Sequence, residues 1–105
     1  MDLSIDIYRT PTTIRLDVAG EIDMSTAAHL AKAITAALRA GAECVIVNLD
    51  AATFCDCAGI TALLAGRREA TERRINYQVL NANGNPRRVL LALGLHTMLA
   101  TSTNP

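Results

Sequence analysis

The sequence predicts an α/β domain: a four- to five-stranded, mostly parallel sheet with an antiparallel strand at its N-terminal edge. Three observations carry this. The apolar run Val45-Ile46-Val47, continuing to Leu49, is short and β-branched, as in a strand buried on both faces. Around it strand-like and helix-like stretches alternate, which implies parallel strands joined by right-handed crossovers. Ahead of them, two alternating segments flank a short connection, as antiparallel neighbours do.

In order along the chain, Leu3-Ser4-Ile5-Asp6-Ile7 alternates apolar and polar residues like a half-exposed strand. Thr10-Pro11-Thr12 makes a turn. Ile14, Leu16 and Val18 then alternate with Arg15 and Asp17 in a second strand, which Gly20 is expected to end. Residues 21–26 lead into a helix that Asp23 or Ser25 can cap. Ala27, Leu30, Ile34 and Leu38 recur at helical spacing, and Gly41 is placed to stop the helix. His29 falls among its surface residues. The central strand from Cys44 to Leu49 is expected to end at Asn48 and Asp50, with a turn over residues 54–59.

A second long helix is expected over about 57–73, with Ile60, Leu63 and Leu64 on one face. Gly66 inside it costs about 1 kcal/mol relative to Ala; it either admits close approach of another element or is incidental. Residues 75–80 read as the next strand and 81–85 as a loop. Asn85 as cap and Pro86 at the first helical position open a short helix, with Val89, Leu90 and Leu93 inward and Gly94 at its end. Leu95, Met98 and Leu99 are expected to finish the core, and residues 101–105 to fray.

Residues 1–105 read as one domain, long enough to bury roughly two-thirds of the chain's surface. Half the residues are hydrophobic, yet only Tyr8, Phe54 and Tyr77 are aromatic. Small aliphatics suit close helix-on-sheet packing and give bases nothing to stack on, so no nucleic acid is expected as a partner. The net charge is zero but uneven. Residues 1–50 carry seven acids and four bases, residues 51–105 three acids and six bases. The arginine pairs at 67–68, 73–74 and 87–88 read as solvated helix faces, with a surface that docks an acidic protein partner as the minority reading, and no nucleic-acid motif stands beside them. No stretch reaches the roughly 20 apolar residues of a membrane span, and the N-terminus lacks the regions of a signal peptide. A cytoplasmic protein is expected, with Cys44, Cys55 and Cys57 reduced.

The chemistry concentrates in the turn before the second long helix. Asp56 is suited to accept the unpaired amides of that helix's first turn. Such a turn lies at the carboxyl end of a strand, where sites in α/β proteins gather.

The order of elements and several local motifs resemble a STAS domain, the fold of bacterial anti-sigma factor antagonists, over nearly the whole chain. Gly20-Glu21-Ile22-Asp23 is similar to the family's Gly-Glu-Leu-Asp before its first long helix. Val47-Asn48-Leu49-Asp50 through Phe54 is similar to its central strand and the Phe that follows. Asp56-Cys57-Ala58-Gly59-Ile60 falls on its Asp-Ser-Ser-Gly-Leu signature, and Asn85-Pro86, Val89 and Gly94-Leu95 on its last helix. The resemblance implies helices packed mainly on one face of the sheet and no catalytic activity or cofactor. It implies a partner, an anti-sigma factor that is often a serine kinase, whose capture releases a sigma factor. The kinase phosphorylates the first Ser of the signature and so breaks the complex. A phosphate at a helix N-terminus finds free amides and a favourable dipole, and brings about two negative charges onto a docking surface.

This sequence departs from the family at that serine. Cys57 stands at the phosphoacceptor and Ala58 at the second Ser, while Asp56 and Gly59 remain. Either Cys57 is a near-isosteric filler and control at this position is phosphorylation-independent, or it is a redox switch. Helix N-termini favour a thiolate, although Asp56 opposes it, and oxidation would place an acid near the family's phosphate. Cys55 and Cys57 are the candidate redox residues, their disulfide being disfavoured by the strained ring. A zinc site from these cysteines and a distant His lacks the four ligands of a closed site. Asp23, Ser25, Asp56, Cys57, Ala58, Gly59 and Ile60 form the expected partner-binding and switch surface of a monomer or weak dimer. Two other functions compete. One is a cytoplasmic STAS subunit of a transporter ATPase, such as a lipid-transport system. The other is a thiol oxidoreductase, disfavoured because such enzymes separate their cysteines by two residues.

Overall fold

A computed structural model of the chain describes residues 3–95. Met98, Leu99 and residues 101–105, for which the sequence suggested a core contribution and fraying, lie outside the described residues. The elements are β1 (Leu3–Arg9), β2 (Thr13–Ile22), α1 (Ala27–Leu38), β3 (Cys44–Cys55), α2 (Cys57–Arg73), β4 (Asn76–Leu80) and α3 (Gly84–Ala92). The strands form one sheet in the order β1-β2-β3-β4. β1 runs antiparallel to β2, and β2, β3 and β4 are parallel. The parallel pairs are joined through α1 and α2, as crossover geometry requires.

The helices cover mainly one face. Ile14, Leu16 and Val18 of β2 and Val45, Val47 and Leu49 of β3 point into the core with Leu30, Ile34, Leu38, Ile60 and Leu63. On the other face Ile46 and Asn48 are only half-buried, so β3 is not enclosed on both faces as its apolar run suggested. Asn48 and Asp50 do not end the strand either. They lie on that less covered face, where polar side chains leave the ladder intact, and β3 runs on to Cys55. On that face Asn48 donates through Nδ2 to Asp17 Oδ1 (3.2 Å) and accepts from Asn81 Nδ2 (2.9 Å).

Gly20 does not end β2. At φ 102° it takes a conformation open mainly to glycine, and the β2–β3 register shifts on either side of it. The strand bends there and continues to Ile22. Gly66 does mark a close approach. A Cβ there would lie 2.7 Å from Ile34 Cγ2 of α1 and 2.8 Å from the Tyr77 hydroxyl of β4. Three elements meet over that one residue.

The last helix differs in its start. Asn83 occupies the cap position, and Pro86 is the third helical residue, still within the turn where no intrahelical N–H is needed. Leu90 is fully buried and Val89 partly so, whereas Leu93 follows the helix and is 49 % exposed. Leu93 therefore does not face the core. Gly94, at φ 72°, reverses the chain.

Candidate functional site

β2 and β3 end side by side, Ile22 opposite Cys55. Asp56 is the single residue between β3 and α2. Its N–H donates to Ile22 O at 3.1 Å, so the sheet's hydrogen bonding carries into the turn. Its Oδ1 accepts from the N–H of Ala58 (2.9 Å) and of Gly59 (3.1 Å), capping α2 as its sequence position suggested. The turn is thus far shorter than the expected 54–59: Phe54 and Cys55 are strand, and Cys57 is already helix. Two of the amides that a phosphate would need free are held by the Asp56 carboxylate.

The two cysteines beside Asp56 sit in opposite surroundings. Cys55 is fully buried, and its thiol donates to Asp56 O at 3.6 Å. Burial first, then the neighbouring Asp56 and Cys57 charges, push its pKa up to about 12. It stays a thiol at any physiological pH. Cys57, the first residue of α2, is exposed. Thr61, one turn on, is also exposed and donates through Oγ1 to Cys57 O at 2.8 Å.

Gly59 and Ile60 are buried. A Cβ at Gly59 would lie 2.7 Å from both Cys55 Sγ and Ile22 Cγ2. The glycine lets the start of α2 settle onto the ends of β2 and β3. Both residues shape the turn from beneath; Asp56 and Ala58 are half-buried, and Cys57 presents its side chain outward.

Asp23 and Ser25 belong to a second turn, between β2 and α1. Asp23 Oδ1 accepts from Ser25 N (2.9 Å), Ser25 Oγ (2.6 Å) and Thr26 N (3.1 Å). The Ser25 hydroxyl leads the effects that lower the Asp23 pKa, with the two amides assisting against some desolvation. Thr26 Oγ1 donates to Glu21 O at 2.8 Å, closing the turn onto β2. The helix proper starts after Thr26, which makes no side-chain cap bond, so neither Asp23 nor Ser25 is the residue directly before α1. Both turns follow the carboxyl ends of adjacent parallel strands.

Two exposed apolar side chains share this end of the sheet: Met24, 84 % exposed between Asp23 and Ser25, and Phe54, at 37 %. Met24 carried no signal in the sequence beyond being an apolar residue inside a polar turn. Asn85 was also missed as part of the site: its Oδ1 accepts from Cys55 N at 2.8 Å. Among the described residues no group of three His, Cys, Asp or Glu side chains could hold a metal ion. None of the described helices is long and apolar enough to cross a membrane.

A sheet with one antiparallel edge strand, and a capped helix start after its central strand, define a STAS fold. The chain matches the STAS domain over residues 4–104 and belongs to that family. Among solved structures it is similar to an anti-sigma factor antagonist from Mycobacterium paratuberculosis, with 23 % identity and a TM-score of 0.85, covering 97 % of this chain and 88 % of that one. It is similar also to the anti-sigma factor antagonist SpoIIAA in its unphosphorylated form, at 21 % identity and TM-score 0.82, covering 96 % and 90 %. The phosphorylated form of SpoIIAA, described as a Bacillus cell fate determinant, aligns at 21 % identity and TM-score 0.75, covering 96 % and 93 %. At these identities the likeness is one of fold. No curated protein sequence matches the chain.

Proposed function

We propose that this protein is a cytoplasmic anti-sigma factor antagonist that docks a serine-kinase-type anti-sigma factor and so releases a sigma factor. Cys57 replaces the phosphoacceptor, and docking is independent of phosphorylation at that position. The observation that carries the reading is the placement of Cys57. It is exposed at the first position of α2, directly after the Asp56 cap. Met24 and Phe54 supply exposed apolar surface at the same end of the sheet, as a protein-docking face needs. On this reading the protein is a binding module, and the enclosure of Cys55 argues against a thiol oxidoreductase that pairs it with Cys57. A transporter-subunit role draws no support from the three structures compared above, which are described in other terms.

If oxidation controls docking, it acts on Cys57 alone. A peroxide would convert the thiol to a sulfenic acid, releasing water and leaving a larger, more polar group on the surface.

The test is a binding titration against the kinase-type anti-sigma factors encoded by the same genome. Wild type and Cys57→Ala should bind equally, with or without ATP. Cys57→Ser should bind and then be released once ATP allows its phosphorylation. Peroxide treatment should weaken wild type and spare Cys57→Ala if oxidation is the control. Folded protein that binds none of these anti-sigma factors would refute the reading.

A further inference from the structure

The outer edge of β1 has no neighbouring strand among the described residues. Natural edge strands are usually short, bulged, or blocked by lysine or proline. Among the described residues β1 shows none of these, its charged residues being Asp6 and Arg9. It is seven residues long, pairs with β2 without a register break, and contains no lysine or proline. Ile7 and Tyr8 are about half exposed, at 50 % and 51 %. Leu3 and Ile5 are only partly buried against the core. The backbone donors and acceptors along this edge form a template for another strand.

We infer that the occupant is β1 of a second copy, paired antiparallel across a two-fold axis, joining two four-stranded sheets into one. Such an axis, normal to the sheet, pairs residues that share a face. The charges then choose the register. Asp6 already faces Asp17 of β2. Placing Asp6 opposite its own copy would line up four carboxylates across the joined sheet against only two Arg15 side chains, each already paired with an Asp17, which is unfavourable. Centring on Ile7 would set Ile5 against Arg9 and leave Leu3 outside the overlap. Centring on Ile5 sets Ile5 against Ile5, Leu3 against Ile7 of the second copy, and Ser4 against its Asp6. All three apolar residues of the helix-covered face are then matched, and each Asp6 gains a hydroxyl donor.

Sedimentation equilibrium of the full chain over a range of concentrations tests this. The expected result is a reversible monomer–dimer equilibrium. Ser4 is exposed, so its substitution should leave the melting temperature of the monomer unchanged. Ser4→Asp adds two symmetric like-charge contacts and should weaken the dimer roughly tenfold. Ser4→Lys should tighten it by a similar factor, and Ile7→Lys should abolish it. A chain that stays monomeric at every concentration, a dimer indifferent to Ser4, or assemblies larger than a dimer would each overturn the inference.

Discussion

Asn85, in the first turn of α3, accepts the backbone N–H of Cys55 through Oδ1 at 2.8 Å. β4 accompanies β3 only as far as Asn48, so the last residues of β3 run on without a ladder partner on that side. α3 occupies the vacated edge. Asn85 satisfies the strand's amide one residue before the Asp56 cap, and Asn83 Nδ2 reaches Asp50 O at 3.5 Å. Buried backbone donors need partners, and here a side chain from another element provides one.

Asn85→Ala should therefore cost about 1–3 kcal/mol, the penalty for an orphaned buried amide. Asn85→Asp keeps an acceptor and should recover most of that loss. Urea denaturation of the three proteins measures both effects. If Asn85→Ala matches wild type, the contact does not hold the end of β3.

The same contact shows why part of the fold was legible and part was not. Hydrophobic patterning and turn residues placed each helix and strand of the described residues, and the Asp56 cap was readable because its donors are two and three residues away. Element ends were harder. Asn48 and Asp50 resemble strand breakers, but in a strand with one less covered face they are simply its alternate positions. Gly20 resembles a terminator and is instead a bend inside a strand. Asn85 beside Pro86 resembles a helix cap, yet its partner is Cys55, thirty residues away in sequence. A contact that distant leaves no local pattern. The candidate site shows the same division: the Asp56 cap could be read locally, whereas the exposure of Met24 and the Asn85–Cys55 bond could not.

Gly59→Ala should destabilise the fold. The new methyl would meet Cys55 Sγ and Ile22 Cγ2, each at 2.7 Å, in a buried position. Overpacking of this kind costs about 1–3 kcal/mol. Cys55→Ala removes one of the two obstructions. The double variant should thus lose less stability than the two single variants together, a non-additivity that thermal or urea melts of all four proteins resolve. Strict additivity would mean that the helix start relaxes away from Cys55 without resistance.

Thiol reactivity should separate the three cysteines. Cys57 is exposed, Cys44 half-buried and Cys55 buried. Desolvation raises the pKa of Cys44 and, more strongly, that of Cys55, so both are poorer in the reactive thiolate. An aromatic disulfide reagent at neutral pH should show one fast phase, lost in Cys57→Ser, with Cys55 modified only as the protein opens. Two equally fast thiols persisting in Cys57→Ser would contradict the enclosure of Cys55.

Tyr77 gives the stability a pH dependence on the alkaline side. Its hydroxyl donates to Leu63 O at 2.9 Å, beside the gap that Gly66 leaves. Burial raises its pKa, against a smaller opposing effect of Arg67. In the unfolded chain the phenol ionises near pH 10, as a free tyrosine does. Between that pH and the higher folded value, the unfolded state has given up a proton that the folded state keeps. The contribution of Tyr77 is then complete below about pH 10 and falls as pH rises further. Tyr77→Phe removes both the hydrogen bond and the titration. At neutral pH it should cost about 0.5–1.5 kcal/mol. Above about pH 10 the gap between the two proteins should narrow and then reverse, because only wild type has a buried phenol whose ionisation unfolding releases, the exposed Tyr8 being common to both. Urea midpoints at about pH 8 and about pH 11 decide it; an unchanged gap would mean that the phenol ionises as readily folded as unfolded.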